Sequence, residues 1–121
     1  MVKPWFLCDR HLLGEHVECH MFVGTINAGI SVKGYLEGGL LEIHNLKRRH
    51  DVLAREMKKR GFRHVSPLLR LKKRYQAGRA GSVSVKANMA ELRRRCGFCS
   101  RRQDALKTGR GQADNRARRC N

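Results

Sequence analysis

The chain predicts an all-α fold: a small, single-domain, three-helix bundle-like structure followed by a basic, disordered C-terminal tail. Three observations point there. Apolar residues recur at three-and-four spacing in three separate stretches, and no segment shows the strict alternation of a half-buried strand. At 121 residues, the chain is also too short to bury a second independent core. The expected division is a helical domain over residues 1–102 and a tail over residues 103–121.

The first helix is expected from about Asp9, whose carboxylate can cap it, to about Asn27, with Gly29 just beyond as a left-handed stop. Leu13, Val17, His20, Met21 and Gly24 fall on one stripe and are expected to face inward. Glu15 and Glu18 are displaced from that stripe and share a face with His11 and Phe22. Residues 31–37 read as a short helical or irregular piece closed by Gly38 and Gly39. A second long helix is expected over residues 41–60, with Leu46, His50, Leu53 and Met57 turned inward. Its last turn, Lys58-Lys59-Arg60, complements the negative helix end, and Gly61 terminates it. Rising Gly, Ser and basic content over residues 66–84 marks a solvated connector. Val85, Met89, Leu92 and Cys96 then repeat at helical spacing and predict a third helix. Beyond Arg102 there is almost nothing apolar to bury, hence the tail.

The formal net charge is +17 and is unevenly placed. Residues 1–60 carry ten Lys/Arg against seven Asp/Glu, whereas residues 61–121 carry seventeen against three. A sequence pI near 10.9 marks a polyanion-binding protein, with strong, salt-sensitive and sequence-blind affinity for nucleic acid. No apolar run approaches the roughly 20 residues of a spanning helix, and the basic residues do not oppose a large apolar face, so a membrane partner is not expected. The apolar stretch Trp5-Phe6-Leu7-Cys8 is too brief for the core of a signal peptide, and a cytoplasmic location follows, that of the host cell if the protein is viral. Five cysteines, with Cys8 and Cys19 on apolar faces, fit reduced thiols better than a disulfide framework.

Several short motifs occur in a telling order: His11-Leu12-Leu13-Gly14-Glu15-His16-Val17-Glu18, then Arg49-His50-Asp51-Val52-Leu53, then Lys59-Arg60-Gly61-Phe62-Arg63-His64-Val65-Ser66-Pro67-Leu68. This series resembles the pyrimidine-dimer DNA glycosylase and AP lyase family, the phage-type endonuclease V. The resemblance runs from about Val2 to Leu68 and resumes at Asn88-Met89-Ala90-Glu91-Leu92 through Cys96-Gly97-Phe98-Cys99. It implies a DNA repair enzyme that incises at cyclobutane pyrimidine dimers, with a coupled lyase step at the resulting abasic site. It further implies a monomer that needs no cofactor, and double-stranded DNA containing pyrimidine dimers or abasic sites as partner.

The family's nucleophile is the α-amine of the mature N-terminus. An α-amine, with a pKa of about 7.7 to 8.0, is partly neutral at pH 7, whereas a lysine near 10.4 is almost wholly protonated. Relatives begin a few residues before the segment matching Val2-Lys3-Pro4, and in the best-known ones threonine follows the initiator methionine. Here the amine of Val2, or an upstream equivalent, is the expected nucleophile, and Lys3 is a possible substitute. Matching the helix segment residue by residue puts the family's catalytic glutamate at Glu18, with Glu15 as its nearest rival. The best-known relatives end in an aromatic-rich segment that touches the lesion, but no Trp, Tyr or Phe follows Phe98 in this chain. Stacking on the lesion by the C-terminus is therefore not expected.

A crosslinked pyrimidine pair must be unstacked before its sugar is reached, and positive charge must hold the kinked duplex. The expected DNA contacts are His16, His20, Arg48, Arg49, Arg60, Arg63, His64, Lys72, Lys73 and Arg74, with Lys58, Lys59 and Arg93 to Arg95 as further phosphate candidates. His50 reads as a core histidine. His16 and His20 stand one turn apart and could ligate a metal, though such pairs more often pack or touch phosphate. Cys96 and Cys99 form a metal-type knuckle, but a structural zinc needs four ligands. Cys120 or a histidine could complete it, or the two thiols could simply cap the third helix.

Two other function classes fit parts of the sequence. His44-Asn45, His50 and the cysteine pair suggest a His-Asn-His-type metal nuclease, which requires a strand hairpin where residues 41–60 read as helix. A non-catalytic basic nucleic-acid-binding protein would need only the charge.

Overall fold

The computed structural model describes residues 2–75 and 81–107. Five α-helices occur among them: α1 (Asp9–Asn27), α2 (Lys33–Glu37), α3 (Leu46–Lys59), α4 (Val85–Arg95) and α5 (Gly97–Lys107). Short 3-10 turns at Pro4–Phe6 and Ile43–Asn45 precede α1 and α3, and no strand occurs among the described residues. The all-α expectation holds with five helices in place of three. Residues 33–37 take up the helical option read for that short piece, and the one departure is that the chain turns once at Cys96 and starts α5.

Glycine sets two of the helix ends. Gly29 and Gly61 adopt φ of +77° and +86°, a region costly for any residue with a Cβ. After α3 the Phe62 N–H returns to the Met57 carbonyl at 2.9 Å and the Gly61 N–H to Lys58 at 3.0 Å, satisfying the last carbonyls. At the start of α4 the Ser84 hydroxyl accepts the Ala87 N–H at 3.2 Å.

The chain separates into two compact units. One contains residues 15–75 and 81–83. Its interior is made of Cys19, Phe22 and Val23 from α1, Leu46, Leu53, Ala54 and Met57 from α3, and Val32, Leu41, Ile43 and Leu68 from the connecting segments. The Phe22 and Tyr35 rings meet edge to face with centroids 4.9 Å apart, holding α2 on α1. The other unit contains residues 2–14 and 84–107, where Val2, Leu7, Cys8, Leu12, Cys96, Cys99 and Gln103 are buried.

The stripe read for α3 is the buried one, but that read for α1 is not. Val17 is 64% exposed and Met21 45% exposed, while Leu12, His16, Cys19 and Val23 face inward. The helix is rotated from the expectation because His16 goes inside, where its ring finds polar partners. The boundary drawn at Arg102 also moves: α5 continues to Lys107 and Gln103 is fully buried. The rest of the expected tail, residues 108–121, lies outside the described residues.

Candidate active site and nucleic-acid interface

Glu15 and Glu18 lie one turn apart on α1 in different circumstances. Arg49, from α3, donates from Nε to Glu15 Oε1 and from Nη2 to Oε2, both at 2.8 Å, and the Arg49 side chain is only 6% exposed. This planar fork suits a partly dehydrated ion pair and clamps the two helices. Glu18 is exposed and has no hydrogen-bond or ion-pair partner among the described residues. Partial burial of its carboxyl, then the charge of Glu15, raises its pKa above the ordinary glutamate value. Its neighbour Cys19 is pushed up to about 12, chiefly by burial, and behaves as a small apolar side chain.

Behind this face four imidazoles converge. His16 Nε2 lies 3.1 Å from His50 Nε2, and His64 Nε2 lies 3.4 Å from the same atom. The His20 ring centroid is 4.9 Å from those of both His16 and His50. His50 also faces the Asp51 carboxylate through Nδ1 at 3.0 Å and the Ser66 carbonyl oxygen through Nε2 at 3.2 Å. Burial first, then His50, His20 and His64, brings His16 down to about 4, and burial lowers His20 as well. His16 and His20 are therefore neutral at pH 7. Such a group can exchange a proton or a hydrogen bond with phosphate, and His16, His50 and His64 could together hold a metal ion.

The predicted cations divide into two sets. Arg49 is committed to Glu15, and the Arg60 side chain, 4% exposed, donates from Nε to Glu56 at 3.0 Å. Arg48, Arg63, Lys72, Lys73 and Arg74 are exposed. The last three are held by Asn27 at the end of α1, whose amide donates to the Arg70 carbonyl at 2.8 Å and accepts the Lys72 N–H at 2.9 Å. In the other unit Arg93 pairs with Asp104 at 2.7 Å, while Arg94 and Arg95 both pair with Glu91.

Val2 is buried just before the Pro4–Phe6 turn, and Arg102 donates from Nε to the Trp5 carbonyl at 2.6 Å, fastening that turn to α5. Lys3 is exposed, its ammonium 5.2 Å from the Trp5 ring centroid. Val2 and Glu18 belong to different units, each described by itself.

The unit of residues 2–14 and 84–107 also gathers Cys8, His11, Cys96 and Cys99, whose donor atoms all lie within 4.8 Å of one another. Sequence reasoning found only half of this group. A Cys-x2-His spacing at residues 8–11 matches the Cys-x2-Cys at 96–99, and it was the signal available.

The sequence model of the pyrimidine dimer DNA glycosylases matches residues 1–70. That is more than half of the chain, so this protein belongs to the pyrimidine dimer DNA glycosylase family, a family of DNA repair enzymes whose substrate is DNA. No curated protein and no solved structure matches it.

Proposed function

We propose that the protein breaks one glycosidic bond at cyclobutane pyrimidine dimers, leaving that base tethered through the cyclobutane ring, and then cleaves the strand at the resulting abasic site, using the Val2 α-amine as nucleophile and Glu18 as the proton-handling carboxylate. The neutral amine attacks the sugar's anomeric carbon, and the glycosidic C–N bond breaks with its electron pair leaving on the base. Opening of the sugar ring gives an imine. Loss of a proton from the neighbouring carbon then expels the 3′ phosphate by β-elimination. Glu18 takes and returns the protons of these steps and offsets the positive charge of the imine. His16, His20 and His64, with Arg48, Arg63 and Lys72 to Arg74, hold the duplex as a monomeric enzyme would require, while Arg49 and Arg60 support that surface from within.

The observation that carries the choice of Glu18 is its freedom: Glu15 is occupied by Arg49, whereas Glu18 has no partner among the described residues and a raised pKa suited to proton transfer. Borohydride reduction in the presence of abasic-site DNA tests the reading. The expected result is a covalent protein–DNA adduct that maps to the N-terminal peptide, with Glu18→Gln losing turnover but keeping DNA affinity. Failure to trap an adduct with N-terminally processed protein would remove the lyase step. Unchanged binding with no turnover in either form would favour the non-catalytic binder, and cleavage abolished by chelator would favour a metal nuclease.

A further inference from the structure

Cys8 immediately precedes α1 and His11 lies in its first turn, while Cys96 immediately precedes α5 and Cys99 lies in its first turn. The same local geometry is used twice, bringing two half-sites together across about ninety residues of sequence. Cys8 Sγ lies 3.1 Å and Cys99 Sγ 3.5 Å from His11 Nδ1. In a tetrahedral site with Zn–S of about 2.3 Å and Zn–N of about 2.0 Å, sulfur–nitrogen edges are about 3.5 Å and sulfur–sulfur edges about 3.8 Å, so the donors already stand near the required spacing. Backbone N–H groups point at two of the sulfurs, Cys8 N–H to Cys99 Sγ and Cys99 N–H to Cys96 Sγ, both at 3.4 Å. Such donors stabilise thiolate charge. Cys8 and Cys99 are fully buried and Cys96 is 8% exposed.

We propose that Cys8, His11, Cys96 and Cys99 form a closed, structural zinc site. Four protein donors leave no open position for substrate, and three sulfurs with one imidazole favour zinc over the hard, oxygen-seeking cations. The surrounding unit needs such a fastening, because α4 contributes no fully buried residue and the three cysteines, packed by Leu92 and Phe98, make up much of the core. In this structure the Cys8 sulfur is disulfide-bonded. A disulfide sulfur has no thiolate to give, so the zinc form is the reduced form and the two states of Cys8 exclude each other. The site joins the segment after Val2 to α4 and α5, and its existence does not depend on the proposed lyase chemistry.

The test is metal analysis of the full chain purified under reducing conditions, together with Co2+ substitution. About one zinc per chain is expected, and the Co2+ form should show sulfur-to-metal charge transfer with the d–d bands of tetrahedral coordination. Cys8→Ser, His11→Asn, Cys96→Ser and Cys99→Ser should each lose most of the bound metal, whereas Cys19→Ser and Cys120→Ser should keep it. Absence of zinc from the reduced wild-type chain would overturn the proposal. So would a Co2+ spectrum lacking sulfur charge transfer, which would move the metal to the histidines of the other unit. Loss of metal in Cys120→Ser would show that the ligand set is wrong. The wild-type spectrum decides even if a ligand variant fails to fold.

Discussion

Arg49 grips Glu15 with two parallel hydrogen bonds of 2.8 Å, and this pair gives Glu15 a structural partner that Glu18, one turn on, lacks among the described residues. Glu15→Gln strips the fork of its charge and leaves a guanidinium that is 6% exposed without its counter-ion, which should cost about 3 kcal/mol of stability by urea or thermal unfolding. Glu18→Gln leaves that clamp intact. Its folding stability should change little, while turnover on dimer-containing DNA falls by about 10²- to 10⁴-fold, the range for loss of a general acid–base group. Equal effects of the two changes on stability would contradict this division.

The histidine cluster makes a pH prediction. Burial and the neighbouring imidazoles bring His16 from 6.5 down to about 4, so between those values the unfolded chain binds the proton and the folded one does not. Stability from this group is therefore complete above about pH 6.5 and is lost as the pH falls toward 4. The melting temperature should drop across that window, and His16→Gln should flatten the slope there. A wild-type profile that is level over the same window would show that His16 stays protonatable in the folded chain.

Much of the fold was legible because periodicity and turn chemistry act locally. Leu46, His50, Leu53 and Met57 are the inward stripe of α3, and Gly29 and Gly61 take the left-handed conformations their positions suggested. The face of α1 was not legible, since hydropathy ranks Val17 above His16, whereas burial of His16 depends on His50, thirty-four residues away. The start of α5 was hidden for a related reason: Gly97-Phe98-Cys99 reads as a knuckle, and its burial depends on Cys8, ninety-one residues from Cys99. At the candidate site, motif order singled out Glu18 for the proposed role, but the sequence could not say that Arg49 and Arg60 face acidic partners inside while Arg48 and Arg63 remain exposed.

Gly81 tests how closely the chain returns to its own backbone. It adopts φ of +96°, and a Cβ there would press on the Leu41 carbonyl oxygen and stand 2.8 Å from Leu36 Cδ2. The side chain of Leu36 can move, but the carbonyl cannot do so without displacing the segment before α3. Gly81→Ala combines about 1–2 kcal/mol of left-handed strain with that clash, so a loss above 2 kcal/mol is expected in chemical denaturation. A loss below about 1 kcal/mol would mean that the segment gives way freely.

The basic run tests which cations reach DNA. Each cation that neutralises a phosphate adds about 0.9 to the slope of log affinity against log salt. Lys72→Ala, Lys73→Ala and Arg74→Ala should each weaken binding to undamaged and damaged duplex alike and reduce the slope by about that amount. Arg60→Ala should leave the slope unchanged and lower stability instead, because its guanidinium is 4% exposed and faces Glu56. Asn27→Ala is the sharper variant: it removes no charge, yet releases the two backbone hydrogen bonds at Arg70 and Lys72. If placement of the run matters, Asn27→Ala lowers affinity with a shallower salt slope while net charge is constant. An affinity that tracks net charge alone across these variants would reduce the run to a diffuse counter-ion.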